Sequence, residues 1–204
     1  MKRKAWIIVL CIELVIVLAA GIILWQINQE KPFFQQKPAM YLEPVDAPPL
    51  HQASFNQTYD FRMDDGLKSV VMEVWELVDG QWAVLGGGRI GASIKEGQFA
   101  LAFNALPEGV TYSVGGAGYT YTINKDFAAD FDPTDGNMMY TTMLTHLQEI
   151  AYETPIPMAM QLFTTNRNTQ YIGVDFFHQP QLIAAEGHDH VYAVTLTFST
   201  TTME

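Results

Sequence analysis

Apolar positions follow two regimes along this chain. Ala5–Trp25, AWIIVLCIELVIVLAAGIILW, is an apolar run with one charge, Glu13, in 21 positions. From Thr58 onward, apolar residues instead alternate with polar ones. The first regime predicts a helix. At ~1.5 Å per residue the run reaches about 31 Å, the thickness of a bilayer's hydrocarbon core. In lipid the backbone polar groups must be satisfied internally, so a single spanning segment is helical. The second regime predicts strands, whose side chains point to opposite faces in turn.

The strands are short and separated by turn residues. Thr58–Arg62 ends at Asp64-Asp65-Gly66. Lys68–Val78 alternates Val70, Met72 and Val74 with Val71, Glu73 and Trp75. Asp79-Gly80 then leads into Gln81–Leu85, and Asp-Gly between two apolar runs is a strong hairpin signal. Gly86-Gly87-Gly88 predicts an interruption before a further strand over Arg89–Ile94. Gln98–Phe103, Val110–Val114 and Tyr119–Ile123 follow, each bounded by glycine or proline. Asn124–Asn137 loses the alternation and predicts a long loop. Met138–Tyr152 reads as a short helix or a strand. Met158–Thr164 follows Pro155 and Pro157, which predicts a strand beginning or an edge. Tyr171–Phe177 predicts a strand, and Pro180–Glu186 predicts a helical turn closed by Gly187. Val191–Ser199 is the clearest long strand, and its apolar character places it centrally in a sheet. The whole predicts an all-β fold, an antiparallel two-layer β-sandwich of jelly-roll or immunoglobulin-like topology, preceded by one N-terminal transmembrane helix.

Charge orients the anchor. Lys2, Arg3 and Lys4 precede the apolar run, while Lys31 and Lys37 follow it mixed with Glu30. The positive-inside bias puts residues 1–4 in the cytoplasm and everything after the anchor, residues 5–25, outside the cell membrane. Ala19-Ala20-Gly21 offers a cleavage site, but Ile22–Trp25 continues the apolar run past it, which favours an uncleaved anchor. Glu13 at mid-membrane is costly and is read either as a helix–helix contact or as a protonated carboxyl. Residues 26–55 carry Pro32, Pro38, Pro44, Pro48 and Pro49 and read as a semi-rigid tether, with Met40-Tyr41-Leu42 able to start a first strand. Residues 56–204 form the sandwich domain.

Composition narrows the partners. Residues 26–204 hold 8 basic against 21 acidic residues, a net charge of −13. Such a field repels nucleic acid, so nucleic-acid binding is excluded. The single cysteine, Cys11, lies within the apolar run, so no disulfide holds the outer domain. The layout resembles that of bacterial extracytoplasmic proteins: a basic start, one anchor, a proline-rich tether and an acidic β domain.

Candidate chemistry is sparse. Asp130, Asp132 and Asp135, with Asn137, offer oxygen ligands for calcium, but their spacing is not that of a helix–loop–helix site and an acidic Pro/Gly turn is the competing reading. His188 and His190, with His178 upstream, offer imidazoles for zinc or copper if the i, i+2 pair shares a strand face; the competing reading is a polar loop before the last strand. Trp75, Trp82, Tyr112, Tyr119, Tyr121 and Tyr171 read either as a sugar-stacking platform or as core. The serines lie in no nucleophile elbow, and the glycine runs lack the lysine of a phosphate loop. The sequence therefore predicts a non-catalytic binding or assembly module, held to the membrane by residues 5–25, with a protein or glycan partner and no required cofactor. The alternatives are a metal- or ligand-sensing domain, calcium being the metal, and a glycan-binding module or hydrolase with dispersed carboxylates.

Overall fold

The computed structural model describes residues 18, 19, 21, 22, 37–48, 53–92, 94–104, 106, 109–115, 117–121, 138–166, 168 and 170–202, with the backbone alone for 117–121. The chain divides into two units, Met1–Lys37 and Pro38–Glu204. In the first, Leu18, Ala19, Gly21 and Ile22 are helical. The rest of the expected anchor lies outside the described residues, and among the described residues no helix is long and apolar enough to cross a membrane.

The second unit is all-β, as the alternation predicts. Eleven strands are present among the described residues: β1 Tyr41–Val45, β2 Phe55–Arg62, β3 Ser69–Val78, β4 Gln81–Gly91, β5 Glu96–Phe103, β6 Val110–Val114, β7 Ala117–Tyr121, β8 Met138–Met143, β9 Gln148–Glu149, β10 Ile156–Thr164 and β11 His190–Ser199. They form two antiparallel sheets. The first runs β7-β6-β5-β2-β1-β9, the second β4-β3-β11-β10-β8. β1 falls inside the stretch read as tether, at the Met40–Leu42 position offered as a first strand.

The core lies between the sheets. Leu42, Tyr59, Phe61, Phe99 and Leu101 face inward from the first sheet. Val70, Met72 and Val74 of β3 face inward with Val194, Leu196 and Phe198 of β11, their register partners. Phe61 meets Phe198 across the sandwich at a ring separation of 5.6 Å. Each such buried side chain contributes about 1.5–3 kcal/mol of transfer free energy. Tyr59 is fully buried, and its hydroxyl donates to the Leu144 carbonyl at 3.1 Å.

Two expectations are corrected. Gly86–Gly88 does not interrupt a strand; β4 runs unbroken from Gln81 to Gly91, with one bulge opposite Val74/Trp75. Gly87 and Gly88 are there for room. A Cβ on Gly88 would lie 2.5 Å from the Tyr112 hydroxyl, which reaches over from β6. Tyr171–Phe177 is not a strand either. Its second half enters a 3-10 helix, Val174–His178, followed by α1, Pro180–Ala185. Proline starts α1, and Gly187 at φ +71° ends it, as the sequence predicts.

This crossover makes a third layer on the outer face of the second sheet. The 3-10 helix packs on β10, and α1 packs on it and on β4. Phe177 is the anchor. Its ring lies 4.8 Å from Trp82, stacked, and 6.0 Å from Trp75, edge-on. Consequently every residue of β10, and every residue of β11 after His190, is buried, on both faces. Both strands are interior to their sheet, which bears out the central placement of Val191–Ser199. Pro157 sits at the second position of β10, beside a register shift, so its missing N–H is tolerated.

Candidate functional site: the pocket beside His188

β11 pairs antiparallel with β3, with Tyr192 opposite Glu76. That register brings the residues just before β11 beside those just after β3. The β3–β4 turn is Asp79-Gly80, with φ of +50° and +74°, the two positive values that a two-residue hairpin turn of this kind needs. α1 lies next to the turn: a Cβ on Gly80 would be 3.7 Å from that of Ala184. Between them opens a pocket of about 520 Å³. Leu77, Ile183, Ala184 and Val191 give it apolar walls. Asp79, Gln181, His188 and Asp189 give it polar groups. It is an open depression whose lining offers both hydrogen-bonding groups and apolar contact.

His188 is the unusual member. Its ring is half-buried, and neither Nδ1 nor Nε2 is accessible to solvent or has a hydrogen-bond partner among the described residues. Buried polar atoms are normally satisfied, and leaving one bare costs about 1–3 kcal/mol. Burial lowers the pKa of His188, with Glu186 and Asp189 pulling the other way, so the neutral ring is favoured. Asp189 is held firmly. One carboxylate oxygen accepts the Thr165 N–H at 2.5 Å, and its own N–H donates to the Phe163 carbonyl at 2.9 Å.

His190 sits elsewhere. It begins β11, its ring stacks at 6.2 Å on Tyr192, and its Nδ1 is 4.0 Å from Glu76 Oε1. The Tyr192 hydroxyl donates to the same carboxylate oxygen at 3.1 Å. Burial, followed by the charge of Glu76, raises the Tyr192 pKa. The i, i+2 argument for the two histidines required both to be in the strand, and only His190 is. His178 ends the 3-10 helix, its ring edge-on to Phe177. Among the described residues no three His, Cys, Asp or Glu side chains come together to hold a metal ion. Asp130, Asp132 and Asp135 lie outside the described residues.

The aromatic candidates divide. Trp75 and Trp82 are partly buried around Phe177. Their indole N–H groups donate within the fold, to Thr195 Oγ1 at 2.8 Å and to the Phe177 carbonyl at 2.7 Å. Tyr112 is core. Tyr171 is 62% exposed and stands edge-on to Tyr140. The side chains of Tyr119 and Tyr121 lie outside the described residues.

Sequence reasoning missed Asp79, Gln181 and Asp189 as one group. Asp79 reads as turn chemistry and Gln181 as part of a helical turn. The signal was present only jointly: two neighbouring antiparallel strands imply that one's exit adjoins the other's entry. No family model, curated protein or solved structure matches this chain.

Proposed function

We propose that this chain is a membrane-anchored, extracytoplasmic, non-catalytic binding module that takes a small ligand in the pocket beside His188. The apolar run at residues 5–25 and the basic residues before it support the anchor and its orientation. The observation that carries the binding role is the unpartnered imidazole in a pocket with both polar groups and apolar walls. The same observation favours binding over catalysis. A histidine acting as general base is hydrogen-bonded to its nucleophile or to an orienting carboxylate, and His188 is bonded to neither among the described residues.

The test uses the full chain in detergent micelles. Ligands that bind only the folded state raise the melting midpoint by mass action. At least one compound from a chemically diverse panel should raise it, and Ile183→Trp, which fills the pocket, should remove the rise. A rise that survives Ile183→Trp places binding elsewhere and sinks the reading. Protease protection in whole cells checks the anchor: the β domain should be digested from outside, and digestion only after lysis refutes the orientation.

A further inference from the structure

We propose that the ligand group recognised in this pocket is a primary or secondary ammonium, one that carries N–H donors on a compact apolar body. The proposal rests on the binding role argued above and names the ligand class.

Charge comes first. Asp79 and Asp189 both line the pocket, and among the described residues no lysine or arginine does. Asp189 is oriented by its bond from Thr165, so its carboxylate is a fixed acceptor. The turn sets the Asp79 backbone beside the pocket, in a conformation that few residues adopt. An anion entering here meets two like charges, and a cation meets two opposite ones. The surroundings agree, since residues 26–204 carry a net −13.

The neutral imidazole comes second. A neutral ring has one nitrogen lone pair free to accept, and His188 uses neither nitrogen within the described fold. When the ring turns its lone pair toward the cavity, it gives an ammonium a third acceptor and satisfies one of its two bare nitrogens.

The walls exclude the alternatives. Among the described residues no Phe, Tyr or Trp ring lines the pocket. Quaternary ammonium groups have no N–H and are held by aromatic cages. Sugars are held by exposed ring faces, and those of Trp75 and Trp82 are packed on Phe177. Leu77, Ile183 and Val191 instead suit an aliphatic body.

The experiment is titration calorimetry on the full chain in micelles with four probes of one shape. These are cyclohexylmethylamine, its N,N,N-trimethyl analogue, cyclohexylmethanol and cyclohexanecarboxylate. The amine should bind at least about tenfold tighter than each of the others, which corresponds to 1.4 kcal/mol. Asp79→Asn should weaken the amine about tenfold and leave the alcohol unchanged. Asparagine is well suited to this turn position, so the fold is kept. Asp65→Asn is the control: Asp65 is exposed, pairs with Lys95 and is not part of the pocket. If the alcohol binds as tightly as the amine, and Asp79→Asn changes neither, the ammonium is not the recognised group, yet the pocket still binds. If none of the four binds, while the Ile183→Trp variant and the parent also melt alike with the whole ligand panel, the binding role fails as well.

Discussion

The two outer faces of the sandwich are built for different neighbours. On the first sheet the outward positions of β2, β5 and β6 are small or polar: Thr58, Asp60 and Arg62, Gln98, Ala100 and Ala102, Thr111 and Ser113. Arg62 pairs with Glu96 at 2.7 Å between two exposed side chains, an arrangement worth little. On the second sheet the outward positions include Trp75, Leu77, Trp82, Met160 and Leu162, and the crossover covers them. Among the described residues of the second unit, the exposed large hydrophobics Val78, Val84, Met139, Tyr171, Phe176 and Leu182 belong to the second sheet or its crossover, and Ile94, in the β4–β5 connection, is the exception. The difference teaches where the pocket comes from. A sandwich with two bare faces has no concavity beside its strands. A third layer that ends against a hairpin turn creates one.

The comparison breaks most visibly at Phe177. Phe177→Ala should destabilise the domain by about 3–5 kcal/mol, the cost of emptying a buried aromatic site. Urea unfolding reads this as a lower midpoint, and emission from Trp75 and Trp82 should shift toward that of exposed indole. A variant with shifted emission and an unchanged midpoint would mean that the crossover rests on the sheet without stabilising it. Gly88→Ala probes the inner face in the same way. Its new methyl meets the Tyr112 hydroxyl, and overpacking of this kind costs about 1–3 kcal/mol. Adding Tyr112→Phe removes the clashing oxygen, so the double variant should lose less than the two single losses summed.

A matched pair sharpens the contrast between the faces. Thr195→Val on β11 keeps the shape but removes the acceptor for the Trp75 indole, and should cost about 1–3 kcal/mol. Thr58→Val on β2 changes the same group on the other face, where its hydroxyl makes no comparable bond among the described residues. Thr58 is also buried, so the swap tests the bond and not the exposure, and it should cost less than Thr195→Val. Equal losses at the two sites would erase the distinction drawn between the faces.

Most of the strands were legible because a half-buried sheet writes its period into the sequence. The Asp79-Gly80 hairpin and the β3 and β11 alternations were read directly. The third layer was not. Thr195, Thr197 and Ser199 alternate with Val194, Leu196 and Phe198, and all three are buried, in keeping with the central placement, but nothing in the sequence says what covers them. Thr195 takes the Trp75 N–H, and Ser199 donates to Glu153 at 2.9 Å. Polar residues that find partners can be covered, and period alone does not reveal the partner. Tyr171–Phe177 misled for the opposite reason. Its aromatics suit a strand, but they serve a short helix that lies on one. Gly86–Gly88 read as a break because glycine weakens strands, whereas close approach explains two of the three here, Gly88 to Tyr112 across the core and Gly87 to the Met72 carbonyl of β3. Of the pocket, only His188 was singled out from the sequence, and its partners in it come from strand neighbours that no local pattern names.

The smallest predicted effect concerns His188 itself, and its sign follows from the burial. The ordinary value is 6.5, and burial lowers it in the folded state, so the unfolded chain holds more protons in the window just below 6.5. Stability therefore rises with pH through that window and falls as the pH drops from 7 toward 5. One proton limits the slope to about 1.4 kcal/mol per pH unit, and a half-exposed ring contributes well under that. His188→Gln removes the titration and keeps a polar side chain, so its unfolding free energy should fall less between pH 7 and 5 than that of the parent. Among the described residues the outward positions of β2, β5 and β6 carry no histidine, and Gln98→Ala there should leave the parent's pH profile intact. If His188→Gln and the parent lose stability in parallel, the imidazole is not held neutral by the fold. The ammonium proposal then loses its third acceptor, because a protonated ring beside Asp79 and Asp189 would repel the cation that they attract.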